Sequence, residues 1–262
     1  MNNNTIEIPK IQAIKNYQLL IVKKLDEIRF EIEEKGEEYF EFYWFAREYP
    51  RFLRYHIDNI KFRLNTIEKL YELHKKEFLD KNKSDEIYEM AISSEKSTQI
   101  YWEFEAFLNA TSAALDIISR ISGLAYSEQT PIALNKITKK KELIGIVDIL
   151  RKAKTDWIDE MKDYRDCFVH YTPVDSRVYV TVYKSTKSWK IWCKIPTNPN
   201  IRNAEKFEFS KKRDLLRYSN NIFKQIIKLD KQIAEKISEL YSNQEYPKRI
   251  DNLFNIGQRS RK

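Results

Sequence analysis

The sequence predicts a mainly α-helical protein, an antiparallel helical bundle with one β-hairpin placed before its last helix. Three observations carry that expectation. Glycine and proline are scarce, 4 and 7 among 262 residues, so few positions interrupt a helix. Apolar residues recur at alternating steps of three and four along most of the chain, the mark of one helix face. Between Arg177 and Ile195 the period drops to two, which is that of a strand.

The first helical stripe is Ile11, Ile14, Gln18, Ile21, Leu25, Ile28 and Ile32, ending near Lys35-Gly36. Pro50 opens a second run in which Leu53, Ile57, Ile60, Leu64, Ile67, Tyr71, His74 and Phe78 keep the same spacing to Asp80. With the aromatic link Tyr39 to Phe45 between them, the two helices read as a long heptad-patterned hairpin over residues 1–83. Such a hairpin packs either on its own chain or on a second copy. A polar, turn-like stretch at Lys81 to Asp85 marks the boundary.

Residues 84–245 read as the bundle proper. Ile100, Phe104, Phe107, Leu108, Leu115 and Ile118 line one face of a helix that Gly123 can close. After a break at Thr130-Pro131 and a short apolar run from Leu143 to Leu150, Trp157, Met161, Tyr164 and Phe168 mark the next helix, which Pro173 stops. The hairpin follows at 177–195. Val178, Val180 and Val182 alternate with Tyr179, Thr181 and Tyr183, and Ile191, Cys193 and Ile195 with Lys190, Trp192 and Lys194. Pro196 to Asn203 is loop, Ser210 can cap, and Leu215, Ile222, Ile226, Leu229, Ile233, Ile237 and Leu240 carry a final helix to about Asn243. The basic tail 246–262 reads as disordered.

Charge is uneven. Lys184 to Arg217 holds ten Lys or Arg against three acids, and Tyr246 to Lys262 holds five against one, so the net +8 lies in the C-terminal third. A polyanion such as RNA suits that concentration, as does a merely solvated face. The two cysteines, Cys167 and Cys193, have no CxxC spacing and make neither a disulfide framework nor a zinc site, which fits a cytoplasmic compartment. The longest uncharged run, Ala106 to Leu115, is half of the roughly 20 residues a membrane span needs. The opening MNNNTIEIPK has no apolar signal-peptide run. No membrane, metal or cofactor is expected.

The candidate chemistry is concentrated in YRDCFVHY, where Arg165 and His170 form an Arg-x4-His pair and Asp166 directly follows the arginine. A guanidinium can grip a phosphate bidentately, and imidazole is suited to exchanging protons near neutral pH. Five residues of an ideal α-helix turn about 500°, a net 140°, so the two side chains converge only where the helix loosens or long rotamers lean together. Arg51 and His56 in RFLRYH share the spacing but have no polar residue after the arginine and lie in the heptad region, where surface charge is the simpler reading. His74 holds a heptad core position and His56 flanks it, so both read as structural.

The segment EFEAFLNATSAALDIISRI followed by WIDEMKDYRDCFVHY resembles the HEPN superfamily over about Asp85 to Asn243. The resemblance implies an antiparallel bundle of four or five helices, a homodimer that brings two motifs together, and metal-independent endoribonuclease action with Arg165 and His170 catalytic and Asp166 supporting. Many members are toxins or antiviral-defence effectors, so a cognate antitoxin or regulatory protein is an implied partner; other members are inactive modules that bind RNA or protein. In one toxin branch a tyrosine stands two residues after the histidine. Here Tyr171 is adjacent and Thr172 takes that position.

Cleavage by the ribose 2′-hydroxyl needs removal of that proton, stabilisation of charge on phosphorus and protonation of the leaving 5′-oxygen. One histidine per chain is one too few, and a two-fold interface supplies the second as His170 of another copy. On the hairpin, Tyr179, Tyr183 and Trp192 share a face with Lys190 and Lys194, so Lys190, Trp192, Lys194 and Tyr179 are candidate RNA-binding residues that could stack bases and neutralise phosphates. Cross-strand aromatic pairing explains the same residues without RNA.

Overall fold

The computed structural model describes residues 37–81, 95–126, 133–139, 145–171, 180–185 and 188–243. The Ile11 to Ile32 stripe, Pro131, Pro173, Tyr179 and the tail lie outside them. The described chain is mostly helical, with a small antiparallel sheet.

Helix α1 spans Glu37–Lys81 and α2 Glu95–Tyr126. The short α3 is Leu134–Ile137, α4 is Ile146–Ala153, α5 is Asp159–Asp166 and α6 is Leu215–Ser242. In α1 every member of the expected stripe from Leu53 to His74 is buried. Pro50 does not open this helix, and Tyr39 to Phe45 are helical rather than a link. A proline's fixed φ is itself helical, and its cost of about 3 kcal/mol inside a helix is set against the burial of six large apolar side chains downstream. Gly123 likewise stands inside α2 instead of closing it.

The sheet has three strands in the order β1 (Val180–Ser185), β2 (Ser188–Pro196) and β3 (Phe209–Asp214), all antiparallel. The hairpin pairs Thr181 with Trp192 and Tyr183 with Lys190. On β2, Ile191, Cys193 and Ile195 are buried while Trp192 and Lys194 are partly exposed, the alternation expected from the sequence. The third strand was not foreseen, because FSKKRD has one apolar residue and three consecutive basic ones. Ser210, expected to cap a helix, lies within it.

The cap is Asp214. Its carboxylate accepts the Arg217 N–H at 3.0 Å, the Cys193 N–H at 3.0 Å and the Tyr71 hydroxyl at 3.0 Å. The Tyr71 oxygen in turn accepts the Leu216 N–H at 3.3 Å. One carboxylate thereby ties α1, β2 and the start of α6 together. Burial raises the Asp214 carboxyl and the three donated bonds lower it, and burial pushes the Tyr71 hydroxyl and the Cys193 thiol well up.

By backbone proximity the chain divides into two compact units, one of Met1–Tyr55, Ala114–Ala153 and Ile227–Lys262, the other of His56–Ala113 and Lys154–Ile226. In the first, Leu115, Ile118, Ile137, Val147, Leu150 and Ile233 are buried, and Arg151 Nε donates to the Thr138 carbonyl at 2.7 Å. In the second, Phe104 is fully buried at the middle of an aromatic cluster, its ring 5.1 Å from Phe168, 6.1 Å from Tyr218, 6.4 Å from Phe107 and 6.5 Å from Tyr164. The Arg165 and His170 motif belongs to this second unit.

Candidate active site

From Ile146 the chain stays helical to Tyr171, with one π-helical turn over Lys154–Ile158 before α5 and another over Cys167–Tyr171 after it. Trp157, Met161, Tyr164 and Phe168 are all buried. Phe168 stacks at 6.0 Å on Tyr101 and meets Phe104 edge-on, which anchors the motif helix to α2. A π turn bonds residues five apart where an α-helix bonds residues four apart, so the turn over Cys167–Tyr171 is a local loosening of the helix that holds His170, while Arg165 precedes it in α5. Helix loosening is thus present at the His170 end of the motif.

Arg165 and Asp166 are brought together. Asp166 Oδ1 accepts from Arg165 Nε at 3.0 Å and from Nη2 at 2.6 Å, while Arg165 Nη1 donates to Ser112 Oγ of α2 at 3.0 Å. Among the described residues three of the five guanidinium N–H groups are engaged, and one on each terminal nitrogen remains. The Arg165 and Asp166 side chains are 34% and 48% exposed, so a ligand can reach them and the ion pair itself contributes little to stability. His170 is exposed, its ring 5.8 Å from that of Tyr171, and the neighbouring Val169 is exposed as well. Among the described residues no hydrogen bond joins His170 to Arg165 or Asp166.

The motif helix is acidic, with Asp159, Glu160, Asp163 and Asp166 in α5. Burial, then the like charges of Asp159, Asp166 and Glu160, raise the Asp163 carboxyl. Arg213 of β3 balances part of this charge, donating to Glu160 at 2.5 Å and to the Tyr164 hydroxyl at 2.9 Å. Tyr164, fully buried, donates to the Pro196 carbonyl, and Tyr101 donates to the Lys194 carbonyl at 2.9 Å. Those two bonds hold β2 against α5, which carries the start of the motif, and against α2. Burial pushes the Tyr164 hydroxyl up to about 12 against the opposing effect of Arg213.

On β2, Trp192 and Lys194 occupy the partly exposed side, and Arg217 of α6 lies with its guanidinium 5.7 Å from the Trp192 ring centre. Lys190 faces Tyr183 in the strand register, and Tyr179 lies outside the described residues. Arg51, of the alternative Arg-x4-His pair, is bound to Glu48 at 3.0 Å on the surface of α1. His74 is buried, as its heptad position implied. Cys167 and Cys193 are both buried, and they form no disulfide with each other. Among the described residues no group of three or more His, Cys, Asp or Glu is placed to hold a metal ion, and no helix is long and apolar enough to cross a membrane.

Two residues of this region escaped the sequence reading. Ser112 has a signal: it interrupts the apolar series Leu108, Ser112, Leu115, in the manner of a polar residue on an inward face. Arg217 has none, since nothing local distinguishes it from the basic residues Lys211, Lys212 and Arg213 just before it. Comparison with protein-family models, with curated proteins and with solved structures finds no match to this chain.

Proposed function

We propose that this protein is a metal-independent endoribonuclease of HEPN type, acting as a homodimer in which His170 of each chain serves one shared site. The observation that carries the reading is the motif geometry. Arg165 is held by Asp166 and Ser112 with two of its N–H donors unengaged among the described residues, and the exposed His170 follows it on a π turn that loosens the end of the motif helix. In this reading one imidazole takes the 2′-hydroxyl proton as that oxygen bonds to phosphorus. The two remaining Arg165 donors stabilise the added charge, and the second imidazole protonates the 5′-oxygen as its bond to phosphorus breaks. The Trp192, Lys194 and Arg217 face, with Lys190 and Tyr179, binds the strand. A role as toxin or antiviral-defence effector, held by an antitoxin or regulatory protein, goes with the resemblance to that superfamily.

A second reading, a catalytically silent helical module that binds RNA or a partner protein, is favoured by one observation: the Arg165 guanidinium is partly neutralised by Asp166 on a helix of four acids. Incubating mixed RNA with the purified protein and a chelator, beside the His170→Ala form, separates the two. Cleavage by the wild-type alone supports the ribonuclease; equal cleavage by both, or none by either, supports the silent module.

A further inference from the structure

Ser112 differs from three other buried hydroxyls of its helix. Thr111 donates to the Phe107 carbonyl, Ser119 to that of Leu115 and Ser122 to that of Ile118, each four residues back and each satisfied within α2. Ser112, only 7% exposed, makes no such bond; its hydroxyl oxygen accepts Arg165 Nη1 at 3.0 Å instead. Arg165 is thus held from two elements. Asp166, its chain neighbour, takes the Nε and Nη2 edge, and Ser112 takes the opposite terminal nitrogen.

Asp166 alone could not fix the guanidinium. The two side chains are 34% and 48% exposed, and an ion pair at that exposure is weak and easily exchanged for water or salt. The Ser112 oxygen sits on a helix whose Phe104, Phe107 and Leu108 are all fully buried, so it is held by the core and not by the backbone next to Arg165. A bond to a charged donor in such a sheltered place is stronger than an exposed one. Preset orientation of a guanidinium saves the ordering that a long side chain otherwise undergoes when it grips a ligand.

We propose that Ser112 is a positioning residue for Arg165: its buried hydroxyl aims the two remaining guanidinium donors at an RNA phosphate. The proposal rests on the ribonuclease reading for the nature of the ligand, and its test keeps the two apart. The readout is the affinity of the full chain for a 2′-O-methyl RNA oligonucleotide, which binds but cannot be cleaved through its 2′-position. Ser112→Ala should weaken binding about tenfold, the scale of one bond to a charged group. Ser112→Thr, which keeps the hydroxyl, should stay within about twofold, whereas Ser112→Val, nearly the same shape, should fall with the alanine form. Comparing Thr with Val matches packing, so a loss confined to Val reports the hydroxyl and not the fold. In an Arg165→Ala background, Ser112→Ala should have no further effect, because a residue acting through Arg165 has nothing left to act on. Equal affinities of the Thr and Val forms, or a Ser112→Ala loss that persists without Arg165, overturn the positioning role. If Arg165→Ala weakens binding and none of the Ser112 variants does, Ser112 alone loses its role. If Arg165→Ala binds like wild-type, the phosphate role of Arg165 falls, and the positioning of Ser112 falls with it.

Discussion

Asp230 stands in α6 with 8% of its surface exposed, and burial alone pushes its carboxyl from an ordinary 3.8 up to about 7. A buried acid with a raised pKa keeps its proton in the folded state at pH values where the unfolded chain has released it. Between about pH 4 and pH 7 the folded state binds more protons than the unfolded one. Its contribution to stability is therefore full below about pH 4, falls as pH rises and levels off above about 7. At 1.36 kcal/mol per pKa unit the whole displacement corresponds to about 4 kcal/mol, of which about 2–3 kcal/mol is lost between pH 5 and pH 8. Asp230→Asn removes the ionisation and keeps the shape, so its stability relative to wild-type should rise by about 2–3 kcal/mol across that interval. Taking the difference between the two proteins cancels the titration of distant groups. Urea unfolding followed by circular dichroism at pH 5, 6, 7 and 8 measures it. A difference constant to within about 0.5 kcal/mol, the scatter of an ordinary surface substitution, would refute the assignment of a buried, uncompensated carboxyl.

Tyr71→Phe removes a donor to Asp214 and the acceptor of the Leu216 N–H, and should cost about 1–3 kcal/mol in chemical denaturation. Gly145 has φ +96, and an added Cβ would lie 2.5 Å from Lys236 Cε. Because the lysine tip can swing aside, the backbone strain dominates, and Gly145→Ala should lose about 1–3 kcal/mol, read as a lowered Tm. Replacing both Lys190 and Lys194 by Ala should flatten the dependence of log K for single-stranded RNA on log salt by about 1.4, at about 0.7 per phosphate contact. An unchanged slope in the folded double variant would make the β2 face scaffold and move the RNA path to Lys211, Lys212 and the tail.

Much of the helical framework was legible in the sequence because burial imposes period. The stripes from Leu53 to His74, Ile100 to Ile118, Trp157 to Phe168 and Leu215 to Ile237 emerge as buried faces, all but His74 being apolar or aromatic side chains withdrawn from water. The helix ends were less legible. The intrinsic preferences of Pro50 and Gly123 point to helix boundaries, yet both residues stand inside long helices. Strand β3 was hidden because its backbone pairing with β2 needs no apolar alternation, and its basic residues suit an edge. Asp214 was invisible as an anchor because its partners Tyr71 and Cys193 are remote in sequence. At the candidate site the Arg165 to Asp166 contact follows from adjacency, whereas the bond to Ser112 joins residues 53 positions apart that only the fold brings together.

The chemistry of the cut ends decides most sharply whether Arg165 and His170 form a ribonuclease site. Attack by the 2′-oxygen leaves a 2′,3′-cyclic phosphate on one fragment and a 5′-hydroxyl on the other, and it cannot occur where the 2′-hydroxyl is missing. With RNA and chelator, the wild-type protein should yield those two ends, and the His170→Ala and Arg165→Ala proteins should yield neither. Fragments carrying 5′-phosphates and 3′-hydroxyls, or cleavage that persists unchanged in His170→Ala, would contradict the proposed chemistry.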